Sequence, residues 1–415
     1  MKKQFLLLLL FLLSGCITVS TTDNIFTEAL STTLPSPPSH PYRDAIESSK
    51  NLAVDFEATE IHEQNYLKAM AHLKTGDFEK AETLLGEVLE NANDTCLLNR
   101  ADQLLSDLAV FQGKWKDVTS CEDNILVAKA YSTAPDEQWS FPPNPLTLPM
   151  EKSISGTPMI KVSVNGRQYN FWIDTGASMT VLSSNIAKEC GVMRIESDEI
   201  ALGTATNDIS FFPGIIQKME IGDIAIVNHP AIIIDQSQLT FKLFKIFTFL
   251  KIDGIIGENA IRKMHLKMDF KNDLISLSQP EKRDSIERNL IWITQPLAIL
   301  HTSEGREVNF FFDSGANVTS LSTNFLTKQK LDPVKNKTAI KMGAGGKEKK
   351  QNTVFENLVL ILDQYQLNFS SISCENEHLD KNEIIVRDGV LGCDIFEDKI
   401  IEIDYTNGRL DIQNE

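Results

Sequence analysis

The sequence predicts an all-α N-terminal region followed by a mostly β region that is built from two similar halves. Apolar residues recur at helical spacing between residues 42 and 130, whereas short alternating or apolar runs dominate from residue 151 onward. Several short segments occur twice, in the same order, within the β region. A chain of 415 residues with 42% hydrophobic content is long enough for two or three domains with sizeable cores.

Four pairs of similar segments define the duplication. FWIDTGAS at 171–178 resembles FFFDSGAN at 310–317, and IALG at 200–203 resembles IKMG at 340–343. DGIIG at 253–257 then resembles DGVLG at 388–392, and DFKN at 269–272 resembles DYTN at 404–407. Because the segments keep one order and nearly one spacing, the sequence predicts two lobes of like construction, each with one acidic loop after an apolar strand.

The two acidic loops resemble those of pepsin and the retroviral aspartic proteases, in which each lobe supplies one Asp-Thr/Ser-Gly loop. The resemblance covers residues 155–415. It implies a catalytic pair, Asp174 and Asp313, that cleaves peptide bonds with no cofactor and no metal ion. It also implies a set of residues that support the loops or lie in the strands beneath them: Thr175, Gly176, Ser314, Gly315, Gly257 and Gly392.

Two carboxylates held about 3 Å apart cannot both ionise easily, so one keeps its proton while the other acts as a base. In the implied mechanism the charged aspartate takes a proton from water as the water attacks the peptide carbonyl, and the protonated one hydrogen-bonds the carbonyl oxygen. Ala177 and Ala316 follow the loop glycines. Because they offer no hydroxyl donor to the carboxylates, we expect activity to extend toward neutral pH.

The aspartic proteases that this sequence resembles close their cleft with mobile flaps. Two glycine-containing segments of this sequence lie at the corresponding positions. The candidates are Gly203 and Thr204 in the first lobe and Gly343, Ala344 and Gly345 in the second. Glycine suits the tip of a mobile hairpin. Neither candidate carries the tyrosine of the pepsin flap, which favours two flaps of the retroviral kind. Ordinary surface turns are the alternative.

Residues 1–16 are predicted to be a lipoprotein signal peptide. Two lysines precede an apolar run that is too short to span a bilayer, and LSGC at 13–16 resembles a bacterial lipobox, in which Cys16 receives the lipid. An uncut signal anchor is the alternative. The following Ile17 favours sorting to the outer membrane, with the protein facing the periplasm. Residues 17–41, rich in Ser, Thr and Pro, are predicted to be a flexible linker.

Residues 42–130 are predicted to form a helical domain. AHLKTGDF at 71–78 is similar to LAVFQGKW at 108–115, with a glycine placed to end one helix and an aromatic residue to anchor the next. This unit resembles tetratricopeptide repeats, whose helix pairs form a peptide-binding face. Because only two units are clear, a small helical bundle packed against the protease is the alternative. In either case we expect the domain to position a protein partner.

The remaining boundaries follow from prolines and turns. Prolines interrupt the helical spacing over residues 131–150, which are predicted to be a second linker. The first protease lobe is therefore assigned to residues 151–285 and the second to residues 286–415. Asn165-Gly166 predicts a tight hairpin turn just before the strand that delivers Asp174.

Charge and metal-ligand spacing exclude two classes of function. The net charge of -17 argues against a nucleic-acid partner, and no spacing of Cys and His indicates a zinc site. The expected partners are a protein or peptide substrate and the membrane, reached through the N-terminal lipid. Two other functions stay open: a catalytically inactive peptide-binding module of the same fold, and a structural scaffold.

Overall fold

A computed structural model of the protein describes residues 17–24, 60–119, 122–196, 200–202, 209–243, 247–284, 286–343, 346–375 and 387–413. Five of the predicted site residues lie outside these ranges: Cys16, Gly203, Thr204, Ala344 and Gly345. Within the described ranges, no helix is both long enough and apolar enough to cross a membrane. The described chain is mostly β, with its longer helices on the N-terminal side.

The N-terminal helical bundle contains α1 (Ile61–Thr75), α2 (Phe78–Asn91), α3 (Thr95–Gln112) and α4 (Glu122–Tyr131), with a 3-10 turn at Trp115–Asp117. Gly76 ends α1 and Gly113 ends α3, with φ of 73° and 75°. These left-handed conformations favour glycine and confirm the predicted helix ends. Asp94 begins α3, because its side chain accepts bonds from two backbone N–H groups of the first turn.

The strands before and within the first lobe are, in chain order, β1 (Ile17–Asn24), β2 (Gln138–Ser140), β3 (Leu146–Pro149), β4 (Glu151–Lys152), β5 (Pro158–Val164), β6 (Arg167–Ile173), β7 (Thr180–Ser183), β8 (Met193–Arg194), β9 (Ile200–Leu202), β10 (Ile209–Ile221), β11 (Ile224–Ile234), β12 (Thr240–Leu243), β13 (Phe247–Lys251), β14 (Gly254–Ile256), β15 (His265–Asp269) and β16 (Leu274–Ser278). Two short helices lie among them, α5 (Ser184–Glu189) and α6 (Glu258–Ile261).

Six of these strands close into a barrel. They are hydrogen-bonded in the order β5-β6-β14-β7-β11-β10, and β10 pairs again with β5. Strand β14 runs parallel to β6, and β11 runs parallel to β7. Asn165 and Gly166, with φ of 48° and 87°, form the turn between β5 and β6, which confirms the predicted hairpin. The barrel interior is filled by buried apolar side chains of both β-branched and aromatic type.

The second lobe repeats this barrel. Its strands are β17 (Leu290–Ile293), β18 (Gln295–Thr302), β19 (Glu307–Phe312), β20 (Ser320–Ser322), β21 (Lys335–Gly343), β22 (Gly346–Leu362), β23 (Tyr365–Glu375), β24 (Gly389–Leu391), β25 (Ile400–Asp404) and β26 (Arg409–Gln413), with helix α7 (Thr323–Lys328). The barrel order is β18-β19-β24-β20-β23-β22, and β22 pairs again with β18. Each strand corresponds to one of the first lobe, as the repeated segments predict.

One further sheet joins the two lobes, in the order β26-β25-β15-β16-β3. At its centre, antiparallel strands β15 and β25 place Lys267 opposite Glu402. The duplication matches Asp269 with Asp404, so it also matches Lys267 with Glu402. Corresponding residues that face each other across an antiparallel pair define a two-fold axis. The two lobes therefore meet about a pseudo-two-fold axis that passes through this pair.

The helical bundle packs on both lobes. Strand β17 of the second lobe shares an apolar cluster with α1, α2 and α3, and its Trp292 stacks on Phe111 with ring centroids 4.0 Å apart. Helix α4 reaches the first lobe, where the Tyr131 hydroxyl donates to the Ala231 carbonyl at 2.7 Å. The described helices thus form a bundle packed against the β region, and a repeat array is not confirmed.

The two predicted linkers differ from the structure. Within residues 131–150, β2 pairs with β11 of the first lobe and β3 pairs with β16 of the shared sheet. Within residues 17–41, β1 pairs with β21 of the second lobe. Each of these short strands pairs with a strand at the edge of a sheet. The unpaired backbone N–H and C=O groups of an edge strand can bond a further strand whose side chains show no strand pattern. Residues 25–41 lie outside the described ranges.

Candidate active site

The two acidic loops are held in equivalent positions by their own barrels. The N–H of Asp174 donates to the Ile256 carbonyl at 3.1 Å, and the N–H of Asp313 donates to the Leu391 carbonyl at 3.0 Å. In each lobe the aspartate directly follows one strand of a parallel pair, β6 or β19. Its backbone N–H is bonded to the other strand of that pair, β14 or β24. This arrangement fixes where each loop starts.

Reciprocal hydrogen bonds join the two loops. The Thr175 N–H donates to Ser314 Oγ at 3.0 Å, and the Ser314 N–H donates to Thr175 Oγ1 at 3.0 Å. Each hydroxyl also donates across the interface, Thr175 to the Phe312 carbonyl at 2.8 Å and Ser314 to the Ile173 carbonyl at 2.9 Å. All four bonds are buried. The structure thus places these two residues where the sequence predicts loop support.

Glycine allows the loops to approach this closely. A Cβ atom on Gly315 would lie 2.4 Å from Cγ of Asp174, which is far inside van der Waals contact. Gly257 and Gly392 make similar approaches to the loops of their own lobes, since a Cβ on them would lie 2.3 Å and 2.8 Å from the backbone of Met179 and Val318. None of these contacts requires an unusual φ. The glycines are needed for space.

The carboxyl groups are buried at the centre of this junction. Asp174 and Asp313 are 0% and 1% exposed. The Gly176 N–H donates to Asp174 Oδ1 at 2.9 Å, and the Gly315 and Ala316 N–H groups donate to Asp313 Oδ1 at 2.9 and 3.0 Å. Burial and the neighbouring Asp313 carboxyl raise the pKa of Asp174 well above its usual range.

One oxygen of this site is unpaired. Oδ2 of Asp174 is buried and makes no hydrogen bond of normal geometry with the described residues. Such an oxygen is unfavourable in a static core and is typical of a functional site, where a bound group supplies the partner. A pair of acids with one raised pKa can hold a single proton and act as both acid and base.

A second layer of polar residues beneath the loops was missed from sequence. Thr180 accepts from the Gly257 N–H at 3.5 Å, and Thr319 accepts from the Gly392 N–H at 3.1 Å. In the first lobe Thr180 also bonds Asn259, and in the second lobe Thr319 bonds Asp394. The only available signal was that both threonines recur at corresponding positions of the duplication.

In the first lobe, further contacts extend this layer to the segment within residues 131–150 that follows the helical bundle, which we call the connector. Nε2 of buried His229 lies 2.7 Å from Thr180 Oγ1, and its Nδ1 lies 2.5 Å from Oε1 of Glu137. Glu137 also pairs with Lys263. Although burial opposes ionisation, the interactions with His229 and Lys263 lower the pKa of Glu137 to about 2. The connector is therefore tied by charge to the strands under the first loop.

The flap candidates are described in part. Gly343 ends β21 and pairs with Gly346 of β22. In the first lobe Leu202 of β9 pairs with Ile209 of β10. The other candidates, Gly203, Thr204, Ala344 and Gly345, lie outside the described residues.

Replacing Gly315 by Ala is expected to reduce kcat/KM about 100-fold, because the new methyl group must displace the Asp174 carboxyl from its position. Peptide cleavage measured beside chemical unfolding tests this. Gly86→Ala is the matched control, since Gly86 lies in α2 with open space around it. Wild-type cleavage by the Gly315 variant would contradict the close approach of the two loops.

Comparison with known proteins gives one sequence match in the first lobe. Residues 160–244, which include Asp174, match the family described as gag-polyprotein putative aspartyl protease. No curated protein matched the sequence. A solved structure, a retropepsin-like aspartic protease from Rickettsia conorii, aligns with 17% identity over 34% of this chain and 95% of that one, at a TM-score of 0.23. Part of the first lobe is therefore similar in sequence to an aspartic protease family.

Proposed function

We propose that the protein is an aspartic endopeptidase whose two lobes complete one active site within a single chain. The observation that carries this proposal is the set of reciprocal bonds between Thr175 and Ser314, which brings Asp174 and Asp313 into one buried junction. Burial of both acids and the raised pKa of Asp174 provide the shared proton that the chemistry needs.

In the proposed reaction the pair acts on a water molecule and on the substrate carbonyl at once. The ionised carboxylate takes a proton from water as the water oxygen attacks the peptide carbon, and the protonated carboxyl hydrogen-bonds the carbonyl oxygen. Transfer of a proton to the leaving nitrogen then breaks the C–N bond. The proton belongs to the coupled pair and is passed between its members during the cycle.

The proposal includes the place of the enzyme. Cys16 would carry the lipid, and the enzyme would face the periplasm from the outer membrane. The competing function is a peptide-binding module or scaffold whose aspartates do no chemistry. The presence of both acids with both supporting hydroxyls favours catalysis, because each hydroxyl forms two of the bonds that align the pair.

Substrate profiling tests the proposed activity. The purified chain should cut denatured protein and a random peptide library, with cut positions mapped by mass spectrometry. The Asp174→Asn variant, prepared in the same way, serves as the control for contaminating proteases. Equal cutting by this variant would refute the assignment, whereas tight peptide capture with no cutting by the wild type would favour the binding module.

Cleavage is expected to continue toward neutral pH. Burial and Asp313 raise the pKa of Asp174, so the pair keeps its single proton at pH values where an ordinary aspartate would have lost it. The rate should fall on the alkaline side when pH rises through the raised pKa, and on the acid side when both carboxyl groups are protonated. A profile of kcat/KM against pH measures this. Activity restricted to strongly acidic buffer would contradict the expectation.

A further inference from the structure

A cavity of about 340 Å³ lies where the helical bundle, the connector and the two lobes meet. We name it the junction pocket. Its wall includes Phe111, Trp115, Met179, Glu258, Arg262 and Trp292. Ligand pockets typically range from about 300 to 1,000 Å³. The junction pocket is at the lower end of this range, so it suits one or two side chains better than a large cofactor.

The junction pocket begins at the first catalytic loop. Ser178 and Met179, which continue the loop that starts at Asp174, both line it. Four residues span at most about 14 Å even when fully extended. Because an extended peptide advances about 3.3 Å per residue, a chain bound across the two acids would reach the pocket within about four residues.

Among the described residues, the position related to Met179 by the duplication is less covered. Val318 corresponds to Met179 under the duplication, yet it is 38% exposed whereas Met179 is 2% exposed. Arg262, which lines the pocket, corresponds to Glu397, which is exposed. Within the described part of the chain, the helical bundle therefore covers one of two pseudo-equivalent positions beside the acidic loops and leaves the other exposed.

Four of the twenty residues that line the junction pocket are aromatic: Phe111, Trp115, Tyr131 and Trp292. Phe111 is held between Trp292, with ring centroids 4.0 Å apart, and the Arg262 guanidinium, 4.5 Å from its ring. Trp115 packs on Tyr131 at 4.9 Å. Aromatic side chains fixed in this way offer large apolar contact with little loss of conformational entropy on binding.

Two buried polar groups of the wall lie close together, because Glu258 is a hydrogen-bonding neighbour of Trp292 and of Tyr405. Oε1 of Glu258 and Nε1 of Trp292 make no hydrogen bond of normal geometry with the described residues. Burial raises the pKa of Glu258 to about 8, so its carboxyl group keeps a proton at neutral pH and can donate. Both atoms can therefore donate to an amide carbonyl. Charged residues of both signs line the pocket, Asp136 and Glu137 beside Arg262 and Lys263, so the lining does not favour one sign of charge in a bound residue.

We propose that the junction pocket is a remote subsite of the substrate cleft, which binds a large uncharged apolar or aromatic residue of the substrate within about four residues of the scissile bond. This proposal rests on the proposed function, because it assumes that a substrate peptide lies across the two acids. It gives the helical bundle a role in selecting substrates, because α3 and the 3-10 turn supply Phe111 and Trp115.

A variant that fills the junction pocket tests the proposal. Ala134 is half-buried in the wall, so Ala134→Phe adds a ring inside it, while Thr133→Phe adds the same ring to an exposed neighbour outside it. Trp115→Ala, which widens the pocket, is the second variant. All are made in the full chain with Asp174→Asn, so that binding is measured without cleavage. Chemical unfolding checks that each variant is folded.

Peptides selected from a random library by the Asp174→Asn chain should share a large apolar residue at one fixed position. Ala134→Phe should weaken their Kd about 10- to 100-fold, as expected for loss of one apolar pocket. Trp115→Ala should shift the preference to another size, and Thr133→Phe should change neither. Fluorescence anisotropy with labelled peptides gives the Kd values.

Three results would overturn the subsite: no selected peptide, no shared apolar residue, or equal binding after Ala134→Phe. The two proposals fail separately. Cleavage by the wild type with binding indifferent to Ala134→Phe would refute the subsite and leave the protease. Binding that depends on Ala134, with no cleavage by the wild type, would refute the protease and leave the pocket.

Discussion

Asp174→Asn and Asp313→Asn are each expected to lower kcat about 1,000-fold or more, because either change removes one of the two groups that share the acid and base roles. Asparagine keeps the size of the side chain and can still accept the loop N–H bonds, which come from Gly176 to Asp174 and from Gly315 to Asp313. Folding should therefore survive. Single-turnover cleavage assays with both variants measure the loss.

The Asp174→Asn variant has a second expected property. The folded-state pKa of Asp174 is raised, so the unfolded chain loses this proton first, at about pH 4, and the wild type loses stability as pH rises toward the raised pKa. Asparagine does not titrate. The variant should therefore gain unfolding free energy relative to the wild type across that interval, measured by urea unfolding at several pH values. A relative loss would contradict the buried, protonated acid.

Gly257→Ala is expected to destabilise the fold by about 3 kcal/mol or more, the upper range for overpacking. The added Cβ would lie 2.3 Å from the Met179 carbonyl and 2.8 Å from the Ala177 carbonyl oxygen. These are backbone atoms of the first catalytic loop, so no side chain can move aside. Displacing that loop by about 1 Å should also cost about 100-fold in activity.

Urea unfolding and cleavage of the same samples check this. Gly86→Ala is again the control, because the same methyl group meets open space in the middle of α2 and should stabilise that helix by up to about 1 kcal/mol. Gly392→Ala should resemble Gly257→Ala, since its Cβ would meet the Val318 backbone at 2.8 Å. A Gly257→Ala protein as stable as the wild type would contradict the packing of β14 beneath the loop.

Local chemistry and repetition explain what could be predicted from the sequence. The turn at Asn165-Gly166 and the helix ends at Gly76 and Gly113 depend on backbone conformations that few residues adopt, so the residue types alone indicate them. The pairing of the two acidic loops was predictable because the same segment occurs twice. A single copy of Asp174-Thr175-Gly176 would not have been enough to predict that two acidic loops pair.

Long-range packing explains what could not be predicted. The prolines near β2 and β3 indicate a linker, yet both strands join sheet edges formed by residues far along the chain. The contact between Phe111 and Trp292 has no sequence signal, because Trp292 belongs to no repeated segment and the repeat that contains Phe111 indicates only a helix end. His229 is a lone histidine in a strand, and its partner Glu137 lies in the connector. These contacts depend on tertiary structure rather than on propensity.

The opposite charges of Lys267 and Glu402 at the pseudo-two-fold axis have a consequence for assembly. In a dimer of two identical half-chains, the same residue would face its own copy there, and like charges directly opposite in a sheet are unfavourable. When both halves lie in one polypeptide, this central position can hold two residues of opposite charge, Lys267 and Glu402. Each half then prefers the other half to a duplicate of itself, which disfavours the pairing of like halves from neighbouring molecules during folding.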